Sequence, residues 1–446
     1  MDMNIRFNKL KIRNLKNVKY GEVKSKSDYT TFEKSDVIGI YGQNASGKTA
    51  VVDAFKILYC LLEYEPLNII SSKMINIGAT EMELNFEFNL ALGEEYYLLY
   101  YTVVIDVIDN GYHVKKEELK YKENLKGARP KRLLLYEKDD IKVKSNASRT
   151  LSADTQVNIK MCVNYSNDLR TTAIFNKRIL NVVDKYFDES QKNIYKSLYS
   201  EFSKSLHIVE NVDYGLLISN LVMPFTIYNE NVRGTVGVMA SEDKAMSSKT
   251  YDLLKNSVFP TINSILPYVI PGLIIEIEKV GEKLIKEDEY GVLVDIISNR
   301  EGVKIPLRNE SDGVRKIISI LSVLNSVFNN KNACVVIDEL DSGIFEYLLG
   351  ELLSILHESG RGQLIFTSHN LRILEMLPIK NLWFTTTEPN NRYIQLKNVS
   401  DTNNNRDVYL RAIQLMNQDE PLYDKTHNSR IKRAFKMSQY KSKKDE

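Results

Sequence analysis

Cysteine is scarce in this sequence of 446 residues: Cys60, Cys162 and Cys334 are all there are, an odd number with no two close together. That excludes a disulfide framework and a zinc knuckle, and it points to a reducing, cytoplasmic setting. No run of about 18 uncharged apolar residues occurs. The nearest, residues 264–275, is shorter and broken by Pro267 and Pro271, so no membrane contact is expected. The first sixteen residues mix Asp, Arg, Lys and Asn with single apolar residues and lack the apolar stretch of a signal peptide. Neither charge dominates. The 60 Lys/Arg stand against 58 Asp/Glu, a net +2 that excludes a uniformly basic surface but permits local basic patches. With 43% apolar and 26% charged residues, the chain reads as globular, with two or three units.

The sharpest feature present is Gly42-Gln43-Asn44-Ala45-Ser46-Gly47-Lys48-Thr49, which fits G-x-x-x-x-G-K-[ST]. Before it, Val37-Ile38-Gly39-Ile40-Tyr41 is short and apolar enough for a buried parallel strand. After it, residues 50–58 carry the apolar spacing of a helix packed on a sheet. A strand, a glycine loop and a helix in that order aim backbone N–H groups and a helix N-terminus at phosphates. The expected phosphate-binding set is Gly42, Asn44, Ser46, Gly47, Lys48, Thr49 and Ala50. Lys48 would neutralise the β- and γ-phosphates of ATP, and Thr49 would ligate Mg²⁺.

Far downstream, Ala333-Cys334-Val335-Val336-Ile337-Asp338-Glu339 reads as a central strand with two carboxylates at its carboxyl end, where α/β sheets place ligands. Asp338 would hold Mg²⁺ with Thr49, and Glu339 would orient and deprotonate an attacking water. Gln363-Leu364-Ile365-Phe366-Thr367-Ser368-His369 reads as a neighbouring strand ending in an imidazole that could reach the γ-phosphate. The other histidines have no such setting. Between these strands, Asp341 lies in a turn that could face a second subunit. Upstream, Ser311 reads as the N-cap of an apolar-faced helix, with Asp312 favoured by the dipole. It is either a cap alone or part of an anion-binding Ser–Gly start with Gly313.

No N-K-x-D guanine motif is present, and small-molecule kinases lack the Ser–Gly helix and the histidine strand. The ordered set resembles the ATP-binding-cassette head of the SMC, Rad50, RecF and OLD group over about 1–100 and 295–400, with Ile12-Arg13-Asn14-Leu15-Lys16-Asn17 resembling its opening strand. More narrowly, Asp338-Glu339-Leu340-Asp341-Ser342-Gly343-Ile344-Phe345-Glu346 and Phe366-Thr367-Ser368-His369-Asn370-Leu371-Arg372 resemble the compact OLD-like, abortive-infection ATPases of bacterial phage defence. The resemblance implies a mixed α/β P-loop head and two heads sandwiching two ATPs, as a homodimer or higher homo-oligomer. It places Ser311 of one subunit at the γ-phosphate held by Lys48 of the other, Asp341 across the interface, and Glu339 as the base. Two departures stand out: only Ser311 and Gly313 correspond to the L-S-G-G-Q signature, and no glutamine lies between Gln43 and Gln156. Thr80 or Glu81 is a stand-in for the missing glutamine.

The expected layout is a split head, 1–100 and 271–400, an insertion at 101–270 of β-hairpins followed by a mostly helical stretch from about 165 to 267, and a helical basic tail at 401–446. Sustained heptads are missing, so no long coiled coil is expected. Residues 111–144 hold 11 Lys/Arg against 6 Asp/Glu, and residues 421–446 hold 8 against 3. Either segment could meet nucleic-acid phosphates, or be a solvated surface and a frayed tail. No acidic nuclease cluster follows His369. The leading expectation is therefore an ATPase that controls a separate effector, a nuclease or toxin, in anti-phage defence. The alternatives are a RecF-like ATPase that binds DNA in repair, and a module that holds ATP only as a structural ligand.

Overall fold

The computed structural model describes the chain except residues 1–2, 27, 29–31, 68–72, 110, 148–149, 211–222, 230–231, 239–244, 287–288, 398–403, 416–417, 425–426 and 442–446. It begins with β1 (Met3–Leu15), which buries Ile5 and Phe7, then Leu10 and Ile12; a bulge between Phe7 and Lys9 resets the alternation. β1 turns back into β2 (Val18–Lys24). β3 (Asp36–Tyr41) is buried at all six positions and runs through the glycine loop into α1 (Lys48–Leu62). β4 (Glu81–Leu92), β5 (Glu95–Ile108), β6 (Gly111–Glu123), β7 (Lys131–Glu137) and β8 (Asp140–Val143) follow as hairpins. They join the first two strands in one antiparallel sheet of order β2-β1-β4-β5-β6-β7-β8.

Helices α2 (Ala153–Leu169), α3 (Lys177–Tyr186) and α4 (Glu189–Lys196) come next, each opened by a side-chain cap, from Ser152, Asn176 and Asp188. Then come β9 (Leu206–Val209), the hairpin β10 (Met223–Asn229) and β11 (Val232–Val238), and a three-stranded sheet of β12 (Leu273–Lys286), β13 (Glu289–Arg300) and β14 (Val303–Pro306). The C-terminal part holds α5 (Asp312–Asn329), β15 (Cys334–Ile337), α6 (Glu346–Ser359), β16 (Gln363–Ser368), β17 (Leu382–Thr385), β18 (Tyr393–Ile394), α7 (Asn405–Leu415) and α8 (Asn428–Lys441).

The site-bearing sheet has the order β18-β17-β3-β16-β15-β9, parallel except for β18. Both of its faces are buried, which is why its strands read as unbroken apolar runs. Ile38, Ile40, Val336 and Ile365 point into a core shared with α1 and the antiparallel sheet. Val37, Val335, Ile337, Leu364 and Phe366 point into a second core shared with α5 and α6. Polar side chains tie the two sheets together. Gln363 accepts from Phe7 N at 2.7 Å and donates to Phe7 O at 2.8 Å and to Asp36 Oδ2 at 3.0 Å. Buried Arg6 donates to the carbonyls of Lys34 at 2.6 Å, Phe32 at 2.7 Å and Lys331 at 3.1 Å.

The mixed α/β architecture agrees with the sequence reading. The stretch from 165 to 267, read as mostly helical, also contains the strands β9, β10 and β11. β9 is only four residues long, and its pairing partner β15 lies more than 120 positions away, so no local period announces it. The three cysteines are free and buried, and burial pushes the Cys60 thiol up to about 12. Among the described residues no helix is long and apolar enough to cross a membrane.

Candidate nucleotide-binding and catalytic site

The glycine loop is shaped by its neighbours. A Cβ at Gly42 would overlap Thr385 Oγ1, and Gly47 sits at φ 100°, in the left-handed region that favours glycine. Ser46 Oγ contacts Gln43 O at 2.7 Å and Thr385 Oγ1 at 2.5 Å, while Tyr393 Oη donates to Gly47 O at 2.7 Å. Asn17 donates to Ala45 O from the β1–β2 turn. Asn44 and Thr49 are exposed at the mouth, while Ala50 is buried at the start of α1. The N-terminus of α1 has no side-chain cap and no acid in its first turn, so no side chain competes with an anion there.

Lys48 lies along this loop. Its Nζ donates to the carbonyls of Gly42 and Gln43, both at 2.9 Å. Burial lowers its pKa, against the opposing pull of Glu339, Asp338 and Asp341. Three carboxylates from one turn therefore favour the charged form of the ammonium.

That turn follows β15. Asp338 is buried, its N–H donates to Val209 O at 2.9 Å, and its Oδ1 accepts from Thr367 Oγ1 at 2.6 Å. The same Thr367 oxygen accepts from Glu339 N at 2.8 Å. Glu339 itself has φ 47°, uncommon for a residue with a side chain, and a half-buried carboxylate. His369 stands between the two halves of the site. Its Nδ1 is 3.5 Å from Lys48 Nζ and its Nε2 is 3.9 Å from Glu339 Oε1. Its backbone N–H donates to Asp341 Oδ2 at 3.1 Å, while Asp341 Oδ1 is buried without a hydrogen-bond partner.

Lys48, Asp338, Glu339, Asp341 and His369 thus meet at the carboxyl ends of β3, β15 and β16. Ser311 caps α5, accepting from Val314 N at 3.4 Å. Gly313, in the first turn of α5, packs against the Gly343 carbonyl. Glu81, considered above for the missing glutamine, is occupied by Lys115 Nζ at 2.6 Å.

Sequence reasoning missed three residues here. Thr367 bridges Asp338 and Glu339; it stands two positions before His369 in the same motif. Thr385 braces the glycine loop from β17, a contact no local pattern signals. Lys316 is 4% exposed on α5 and donates to Glu339 O at 2.9 Å and Ser342 O at 2.6 Å. Burial lowers its pKa to about 8, opposed by Asp341, Glu339 and Asp338.

Among the described residues, no three His, Cys, Asp or Glu side chains form a metal cluster. A magnesium ion that keeps several waters and uses substrate phosphates needs only one or two protein oxygens. Asp338 and the exposed Thr49 hydroxyl fit that donor set.

Two family models match the chain. One, described as "AAA domain, putative AbiEii toxin, Type IV TA system", covers residues 174–375, and another, described as "AAA domain", covers residues 9–214. Between them they contain the glycine loop, Ser311, the Asp338–Glu339 pair and His369. The chain is thus similar to AAA-domain proteins over residues 9–375. Solved structures similar to this chain include three SMC heads. An Smc head bound to the C-winged helix domain of ScpA matches at 13% identity and TM-score 0.44, over 87% of this chain and 98% of that one. An SMC head domain from Thermotoga maritima matches at 13% and 0.35, over 88% and 99%. An Smc head with an extended coiled coil, bound to the C-terminal domain of ScpA and derived from Pyrococcus furiosus, matches at 11% and 0.38, over 93% and 100%. A search of the curated proteins gives no match.

Proposed function

We propose that this protein binds and hydrolyses ATP, closes as a head-to-tail pair of copies around two nucleotides, and thereby controls a separate effector protein, a nuclease or toxin, in anti-phage defence. One observation carries the hydrolytic part: His369 spans Lys48 and Glu339, so the phosphate-holding lysine and the candidate base face one small space. In this reading Lys48 and the first N–H groups of α1 hold the β- and γ-phosphates. Asp338 and Thr49 would hold Mg²⁺, which supplies charge neutralisation at the phosphates. Glu339 takes a proton from the attacking water as the new P–O bond forms and the bond to the ADP oxygen breaks, leaving ADP and inorganic phosphate.

Pairing of copies has its own support. Asp341 leaves a buried oxygen unpartnered, and a few positions on Phe345 and Tyr347 form an exposed, stacked aromatic pair with ring centroids 5.6 Å apart. A second copy that brings its Ser311 to the phosphates on Lys48 would offer both a partner. The defence role rests on the AbiEii-type description of the family model and on the motif resemblance. The split into a head at 1–100 and 271–400, an insertion at 101–270 and a tail at 401–446 belongs to the same proposal, with β9 placed in the head's sheet.

Direct DNA binding, the RecF-like alternative, has less support. Of the basic residues in 111–144, Lys115, Lys116, Lys120, Lys131 and Arg132 are each paired with a carboxylate. The test is phosphate release from Mg-ATP by purified protein, together with its Glu339→Gln variant. Absence of turnover in the wild type, or undiminished turnover in the variant, would sink the reading.

A further inference from the structure

Lys316 is a buried cation, and it donates to two backbone carbonyls of the candidate catalytic turn. These acceptors, Glu339 O and Ser342 O, are the two ends of the turn that follows β15. Within that turn Ser342 N donates back to Glu339 O at 3.0 Å, so the oxygen Lys316 holds is also the one that closes the turn. Three residues earlier on α5, and so on the same face, Gly313 lets the Gly343 carbonyl approach where any Cβ would collide. Gly343 has φ 74°, and Glu339 is left-handed at φ 47°. A side-chain-bearing residue persists in that region only when its surroundings over-determine it. Lys316 from one side and Thr367 from the other do so.

We infer that Lys316 is a positioning residue: with Gly313 it clasps the first turns of α5 to the 339–343 turn, so that a shift of Ser311 at a phosphate is passed directly to the Glu339 carboxylate. This rests on the proposed ATPase reading and adds to it a route by which engagement of the helix start regulates the base. The clasp is intramolecular and needs no partner to exist. It makes the Ser311 cap and Glu339, which are 28 positions apart, parts of one rigid piece.

The test is the Lys316→Met variant of the full chain, which keeps the side chain's length and apolar stem and removes its charge and donors. Three quantities are read: the melting temperature, kcat and KM for Mg-ATP, and hydrogen exchange of the backbone amides at 340–343. The expected result is a folded protein with unchanged or higher melting temperature, a KM within about threefold of wild type, a kcat lowered by about 10²-fold, and faster exchange at 340–343. Wild-type kcat in the variant overturns the inference. So does a joint loss of melting temperature, KM and kcat, which marks Lys316 as a general fold residue. If the wild type itself hydrolyses nothing, the ATPase reading falls; the exchange measurement then still decides the clasp, and unchanged exchange at 340–343 refutes it.

Discussion

Gly313 faces the carbonyl oxygen of Gly343 across a gap that has no room for a methyl group. The blocking atom is backbone, so it cannot swing aside like a flexible side chain. Gly313→Ala is expected to lower stability by about 1–3 kcal/mol through forced repacking of this seam. A urea unfolding midpoint equal to that of wild type would show the seam to be looser than described.

His369→Ala is expected to reduce kcat by about 10–10²-fold while leaving ATP affinity nearly intact. The imidazole lies between Lys48 and Glu339 but bears on neither main chain. Nucleotide binding measured by calorimetry separates the two effects. A large loss of affinity would instead make His369 a ground-state ligand.

Phe345 and Tyr347 are 68% and 51% exposed, and the Arg372 guanidinium covers the Tyr347 ring at 4.6 Å. Changing both aromatics to Ser is expected to leave the monomer folded and to abolish ATP-induced pairing. Sedimentation with Mg-ATP and a Glu339→Gln background reads this directly. Undiminished pairing would place the interface elsewhere.

The stability contribution of Lys316 has an unusual pH sign. Its pKa is lowered to about 8 in the folded chain, from 10.5. The unfolded chain therefore binds more protons between those values, and stability rises as pH increases through that window. Below about pH 8 the burial penalty is present in full, at most about 3 kcal/mol. Denaturant unfolding of wild type and Lys316→Met should differ most at pH 7 and converge as pH rises past about 10.5. A pH-independent difference would contradict it.

Much of the site was legible because its parts are local. The glycine loop, the apolar strand before it, the carboxylate pair at a strand end and the terminal His369 each announce themselves within ten residues. That the three strands bearing them lie side by side is seen only in the pairing of β16 with β15 and with β3. What escaped was what depends on distant neighbours. β9 is too short to show a period, and its place is set by pairing with β15. Lys316 lies beside the apolar positions of α5 and reads as solvated until the 339–343 turn is seen to close over it. Thr385 looks like any threonine at a strand end until Gly42 is placed beneath it. The 111–144 segment reads as basic because sequence counts charges, whereas cross-strand pairing brings its lysines to carboxylates.

The hydrogen bond from Asp338 N to Val209 O has a mechanical meaning. Residues 210–272 leave the sheet one peptide away from the acid expected to sense the nucleotide, and Glu210, the first of them, already reaches back to Lys56 of α1 at 2.5 Å. The segment is thus held at both ends, at Val209 by the backbone of that acid and at Leu254, Val258 and Ile262 by the core that also holds α5.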